Sequence, residues 1–161
     1  MIPFVRVDNR LIHGQVVEAW LPELKVGRVV VADDEAAKSP LIRAAMGLAM
    51  PSSIEVRIQP VADVPYAALA ADKVKTLILF RDVTGPLAAH DKGLALALVN
   101  LGNVHFATGR RQVSPSVFLA KEELEKLRAL SRLGVEVEAR AVPAERPVSL
   151  TEMVERFDRG G

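Results

Sequence analysis

The chain has 161 residues, 21 of them Lys or Arg against 20 Asp or Glu; half are hydrophobic, only 4% are aromatic, and none is cysteine. That length fits one domain with a core large enough to need no staple, and the apolar half excludes a disordered chain. The absence of cysteine excludes disulfides, thiolate catalysis and Cys-ligated zinc, and a net charge of +1 with few stacking aromatics argues against a nucleic-acid partner.

Taken in chain order, the pattern alternates. "PFVRV" at the start reads as a strand, and no basic segment precedes an apolar one there, so no signal peptide is expected. Val16, Val17, Trp20, Leu21 and Leu24 recur at helical spacing and predict a helix from Gln15 to Leu24. "GRVVVA" is a second strand. Ser39 and Pro40 supply an N-cap and a first-turn proline for a helix running to about Met50, which Pro51 closes. "SIEVRI" is a third strand, "VPYAALAA" a helix, "KTLILF" a fourth strand and "GPLAAHDKGLAL" a helix. "ALVNLGNVHFA" follows as a strand, and "ATGRRQVSPSVFLA" as a loop with one or two short strands.

"KEELEKLRALSRLG" has acids in its first turn, bases later and Gly134 as a left-handed cap. "VEVEARAV" is the last sheet strand, and "AVPAERPVS" connects it to a terminal helix from Ser149 to Asp158, with Ser149 and Glu152 as a capping box and a frayed Arg159-Gly160-Gly161 tail. Strands alternating with helices predict an α/β fold: an open, mainly parallel sheet with helices on both faces, as a single domain over residues 1–161. Nearly all-apolar runs such as "RVVVA" and "TLILF" suit strands buried on both sides. No apolar run approaches the roughly 20 residues of a membrane span.

The chemistry concentrates in "VRVDNRLIHGQVVEAW", Val5 to Trp20. The first strand is expected to end near Val7 and the first helix to begin near Gly14, which places His13 at the carboxyl end of a parallel strand, where open α/β sheets bind ligands. A helix start aims free backbone N–H groups and a positive dipole end at that spot, and so binds phosphate readily. Gly14 lets a ligand approach the backbone. Arg10 supplies a planar, permanently charged fork suited to phosphate oxygens. The loop is an anion cradle with a nucleophilic imidazole in it. Asp8 either binds the ring N–H and fixes its tautomer or holds Arg10; the sequence leaves both open. An ordinary structural histidine is a comparably good reading on these residues alone, since neither GxxxxGK[ST] nor GxGxxG is present.

Elsewhere, His90 is expected on a solvated helix face and His105 near a strand end. Arg81 and Asp82 follow the fourth strand and read equally well as pocket residues or as a surface ion pair. Arg110 and Arg111 are expected to be exposed, and Trp20 to be core. No histidine pair has metal-ligand spacing.

This opening segment resembles that of the IIB component of the mannose/fructose/sorbose family of the bacterial sugar phosphotransferase system (PTS), which typically begins R-[IV]-D-D-R-L-I-H-G-Q-V with a Trp a few residues later. Arg6, Asp8, Arg10, Leu11, Ile12, His13, Gly14, Gln15, Val16 and Trp20 fit. "VVVADDEAA", "VNLGNVHFATGRRQVSPSVFL" and "GVEVEARAVP" resemble later segments of the same family. Asn9 departs from the family's usual second Asp.

The resemblance implies a cytoplasmic phosphocarrier that uses no metal or organic cofactor. His13 would accept a phosphoryl group at Nδ1 from the phosphohistidine of a IIA component. It would then pass the group to a sugar carried by membrane components IIC and IID, the protein being peripheral to the membrane at most. Arg10 and Asp8 would assist at the histidine, and Gly14, Gln15 and Arg6 would bind phosphate. Self-association is a further family property, for which the sequence offers no exposed apolar seam. Two rivals stand beside this reading. One is a regulatory relay using the same histidine without sugar transport; the other is a small-molecule-binding α/β module with a structural His13.

Overall fold

The computed structural model describes residues 1–2 and 4–160; Pro3 of the first predicted strand and Gly161 of the tail lie outside the described residues. Seven strands form one sheet: β1 (Phe4–Asp8), β2 (Arg28–Ala32), β3 (Glu55–Gln59), β4 (Thr76–Phe80), β5 (Leu98–Asn103), β8 (Glu136–Ala139) and β9 (Val148–Ser149). The spatial order is β3-β2-β4-β1-β5-β8-β9, all parallel except the antiparallel β9. Two further strands, β6 (Arg111–Ser114) and β7 (Val117–Leu119), pair as a separate antiparallel hairpin within the tract read as a loop with short strands.

The helices are α1 (Leu21–Leu24), continuing a π-helical turn over Val16–Trp20, then α2 (Asp34–Lys38), α3 (Pro40–Ala49), α4 (Tyr66–Ala71), α5 (Thr84–Asp91), α6 (Lys121–Arg132) and α7 (Leu150–Asp158). They cover both faces of the sheet. On one side Val5, Val7, Ile78, Phe80, Val99 and Leu101 pack against residues of α4 to α7. On the other, Phe4, Val29, Val31, Leu77 and Leu79 pack against Leu11, Val16, Trp20 and Leu21 and against α2 and α3. Val29, Val30 and Val31 are wholly buried, as are Leu77 to Phe80; at about 1.5–3 kcal/mol per buried aliphatic or aromatic side chain, these two central strands anchor the fold.

The boundaries follow local chemistry. Ser39 caps α3 by accepting from Ile42 N–H at 3.2 Å, and Ser149 caps α7 by accepting from Glu152 N–H at 3.2 Å. Gly134, at φ +88°, ends α6 with paired bonds from Gly134 N to Ser131 O and Val135 N to Leu130 O. The helix predicted over "GPLAAHDKGLAL" stops at Asp91 for the same reason. Gly93 takes φ +95°, and Gly93 N and Leu94 N donate to His90 O and Ala89 O. Leu94 then turns inward to the core instead of extending the helix.

Three elements were not anticipated. The "DDEAA" segment forms α2 because Asp33 accepts from Ala36 N–H at 2.9 Å as its N-cap. The "AVPAERPVS" connector carries edge strand β9, which pairs with β8. The π turn traces to Pro22. A proline at that place offers no N–H to Glu18 O, and widening the turn accommodates it; Leu21 N donates to Val16 O across five residues. Leu41 and Leu48, seven residues apart on α3, are 80% and 88% exposed, an apolar pair turned to solvent.

Candidate functional site

β1 lies between β4 and β5, and side chains alternate along it. Arg6 and Asp8 share the side that Phe4 buries against Trp20, whereas Val5 and Val7 enter the opposite core. Both Arg6 and Asp8 are completely buried. A charged pair at that depth requires full hydrogen bonding, and the neighbouring residues supply it.

The Arg6 guanidinium donates from Nη2 to Asp8 Oδ2 at 3.0 Å, to Gln15 Oε1 at 3.1 Å and to Ala141 O at 3.0 Å. From Nη1 it donates to Asn100 Oδ1 at 2.7 Å and to Arg140 O at 3.2 Å. Its Cζ lies over the Trp20 ring, 5.0 Å from the centroid, and Trp20 Nε1 donates to Ala141 O at 2.8 Å. Asn103, at the end of β5, donates from Nδ2 to Asp8 Oδ2 and to Gln15 Oε1, both at 2.8 Å. The residues surrounding Asp8 therefore come from β1, β5, the first helical turn and the segment after β8.

Beyond Asp8 the chain turns sharply. Leu11 N donates to Asp8 O at 3.0 Å, and Arg10 N donates to Asp8 Oδ1 at 3.0 Å. Leu11 takes φ +57°, a left-handed conformation costly for a branched side chain, yet its side chain is buried. This reversal drops Leu11 and Ile12 into the core and brings His13 back over Asp8. His13 Nε2 lies 2.8 Å from Asp8 Oδ2, and the imidazole keeps 12% exposure.

Electrostatics fix the histidine tautomer. Burial alone would raise the Asp8 carboxyl. Hydrogen bonds from His13 and Asn103, the Arg6 charge and the Arg10 amide together hold it below the ordinary carboxylate range. An ionised carboxylate only accepts, so Nε2 carries a proton, and in the neutral ring Nδ1 is the nitrogen that keeps its lone pair. Among the described residues, Nδ1 has no hydrogen-bond partner, and the backbone N–H groups of Gly14 and Gln15 have no acceptor. Gly14 is exposed, and a Cβ on it would meet nothing within 4 Å, so the fold itself does not demand glycine there.

A family model described as PTS system sorbose subfamily IIB component matches residues 2–159. The chain belongs to this family. It is 32% identical over 152 residues to the N-acetylgalactosamine-specific phosphotransferase enzyme IIB component 2 of Escherichia coli (strain K12), spanning 92% of this chain and 96% of that protein. It is 26% identical over 161 residues to the PTS system mannose-specific EIIAB component of the same organism, matching 99% of this chain but spanning only about half (50%) of that relative's length. Among solved structures, manxB from Thermoanaerobacter tengcongensis superposes with a TM-score of 0.86 at 29% identity, covering 98% of this chain and 96% of that one. No helix among the described residues is long and apolar enough to cross a membrane.

Within this IIB fold the residues singled out from sequence divide. His13, Asp8, Gly14 and Gln15 come together. Of the two arginines, Arg10 is exposed, and its guanidinium makes no hydrogen bond or ion pair among the described residues. Arg6, read as a phosphate ligand, lies beneath the site with its fork committed to five acceptors, so it positions Asp8 instead. Gln15 is engaged through its side-chain oxygen, Oε1, which accepts from Arg6 and Asn103, so its backbone N–H and its side-chain Nε2 are the groups left to an anion.

Arg81 pairs with Asp33 through Nε at 3.0 Å and Nη2 at 2.7 Å, and Asp82 accepts from Thr84 N–H at 2.9 Å at the start of α5. Both serve the structure beside a cleft of ≈ 430 Å³ that they line together with Asp33, Asp34 and Glu35. His90 is half-buried in the last turn of α5. Arg110, expected to be exposed, is half-buried on Glu123, whereas Arg111 is exposed and donates to Phe157 O. His105 joins the site through its backbone: its N–H donates to Asn9 Oδ1, and Asn9 Nδ2 donates to Arg81 O at 3.3 Å. Asn9 thus links the loops after β1, β4 and β5. Asn103 and Asn100 were missed; the available signal was that two amide side chains sit in a strand otherwise buried and apolar.

Proposed function

We propose that this chain is a phosphocarrier of sugar uptake in which His13 accepts a phosphoryl group from a phosphorylated IIA-type protein and delivers it to a sugar held by membrane components IIC and IID. The observation that carries this reading is the locked tautomer: Asp8 holds Nε2–H and leaves Nδ1 as the nucleophile. In the first transfer the Nδ1 lone pair attacks phosphorus. The new Nδ1–P bond forms as the donor's N–P bond breaks, and that electron pair leaves with the donor imidazole. The His13 ring becomes cationic, with Nε2–H facing the Asp8 carboxylate. In the second transfer a sugar hydroxyl attacks phosphorus, the Nδ1–P bond breaks and its electron pair returns to the ring. The hydroxyl proton goes to solvent or to a base on the acceptor.

Phosphoryl transfer through a loose transition state needs alignment and charge stabilisation more than covalent help. The free N–H groups of Gly14 and Gln15, the N-terminal dipole and the uncommitted Arg10 guanidinium supply both, and the absence of a Cβ at Gly14 leaves room for the oxygens. The chain works in the cytoplasm on this reading. Incubation with radiolabelled phospho-IIA tests it. An acid-labile, base-stable label on the wild type that is absent from His13→Gln is the expected result. A wild type left unlabelled at high donor concentration refutes it.

A further inference from the structure

Phe106 is 68% exposed and is the sole exposed aromatic among the described residues, in a chain that buries or half-buries its other aromatic side chains. It lies three residues past the end of β5, the strand neighbouring that of Asp8. The loop around it is rigidly held. His105 N–H donates to Asn9 Oδ1, and His105 O accepts from Arg110 Nη1 at 2.7 Å. Arg110 is itself fixed by a two-pronged bond to Glu123, at 2.8 Å from Nε and 3.0 Å from Nη2, and its N–H closes a turn on Ala107 O at 3.0 Å. The Phe106 ring stands edge-on to Phe118, with centroids 5.9 Å apart and planes at 82°.

These contacts orient an aromatic side chain without covering it. A ring held this way gives up little further conformational freedom when a protein closes over it, which is the property of interface anchors. Its location selects the partner. Asn9 ties this loop to the one carrying His13, and Arg10 adds an exposed, uncommitted positive charge next to Asn9. Phe106 and His13 follow neighbouring parallel strands, so a protein that presents a phosphohistidine to His13 approaches the end of the sheet where Phe106 stands. Leu41, Leu48 and Leu133, the other strongly exposed apolar side chains, sit on or just after α3 and α6 and have no such link to the histidine loop.

We infer that Phe106 is the docking anchor for the phosphoryl-donating IIA protein, inserting into an apolar collar around the donor's phosphohistidine; this rests on the phosphocarrier reading above. The test compares two donors. With phospho-IIA, Phe106→Ala is expected to raise KM tenfold or more while kcat stays within twofold, and Phe106→Tyr restores most of the loss. With phosphoramidate, a donor too small to touch Phe106, His13 is expected to be labelled at the wild-type rate. Arg10→Ala serves as the contrast, slowing both reactions. An unchanged KM for phospho-IIA in Phe106→Ala overturns the anchor assignment and leaves the phosphocarrier reading standing. So does an unchanged KM with loss of self-association in sedimentation, which assigns the ring to a second copy of this chain. A wild type labelled by phosphoramidate but never by phospho-IIA removes the phosphocarrier reading and the anchor together.

Discussion

Gly102 in β5 faces the Arg6 guanidinium so closely that a Cβ built on it would stand 2.0 Å from Arg6 Cζ. The glycine is therefore a space requirement of the site and not a turn. It lets a buried arginine lie flat between two parallel strands, under the carboxylate that holds His13. Gly102→Ala is expected to push the guanidinium off Asp8 and Asn100, because neighbouring strand backbones cannot yield. Overpacking costs about 1–3 kcal/mol, and the abandoned hydrogen bonds add to it. Urea unfolding reads the loss; a midpoint equal to wild type would mean that Arg6 has another resting place.

The sheet, its strand sequence and the His13 loop were legible in the amino-acid pattern because each depends on local signals: continuous apolar runs, caps at Ser39 and Ser149, and a glycine stop at Gly134. The support beneath the histidine was not. Arg6 stood as a phosphate ligand only through the family resemblance of the opening segment. Its burial is set by Asn100, Gly102 and Ala141, which approach only after β5 and β8 are in place. Pro22, inside the predicted first helix, was the one readable sign that the helix starts with a widened turn. The left-handed Leu11 had no signal, since nothing in a leucine announces a positive φ.

Asp8→Asn separates position from charge. The amide still reaches the ring, but it no longer compels the Nε2–H tautomer, and the buried Arg6 loses its counter-charge. Breaking a buried pair by removing one partner costs about 3–5 kcal/mol. Phosphotransfer to His13 is expected to slow by at least a hundredfold and up to about ten-thousand-fold, the loss that follows when a carboxylate orienting a catalytic histidine is neutralised. Nitrogen-15 NMR of the imidazole checks the cause directly. The wild type should show the Nε2–H form, and the variant a mixture. A variant with unchanged tautomer and unchanged rate would remove Asp8 from the chemistry.

The opposite edge of the sheet carries a pH response of its own. Arg28, nearly buried at the start of β2, donates from Nη1 to Asp72 Oδ2 at 2.8 Å and from Nε to Glu55 Oε2 at 3.0 Å. The bond from Arg28 draws the Asp72 carboxyl down from an ordinary 3.8 to about 2. A depressed carboxyl stabilises the fold above its unfolded value and loses that contribution as pH falls through the folded one. The Asp72 contribution is thus complete above about pH 4 and fades towards pH 2. Asp72 is exposed enough for salt to screen it, so the effect is modest. Urea midpoints of wild type and Asp72→Asn are expected to differ near pH 5 and to converge as pH approaches 2. Curves that stay parallel across that window would contradict the assignment.

Asn9 replaces the second aspartate usual at this place in the family it resembles, and the structure gives the amide a task no carboxylate performs. Its Nδ2 donates to Arg81 O at 3.3 Å while its Oδ1 accepts from His105 N–H. Asn9→Asp keeps the acceptor but sets a charged oxygen against the Arg81 carbonyl. The loop after β4 should then come loose, at a cost of about 1–3 kcal/mol for a partly buried carbonyl left without its donor. The loop after β5, still held through His105, should not. Amide hydrogen exchange distinguishes the two: faster exchange for residues after β4, with protection unchanged around Val104 and Phe118, is the expected outcome. Equal loosening of both loops would show that the β5 loop depends on the whole amide bridge and not on the His105 bond alone.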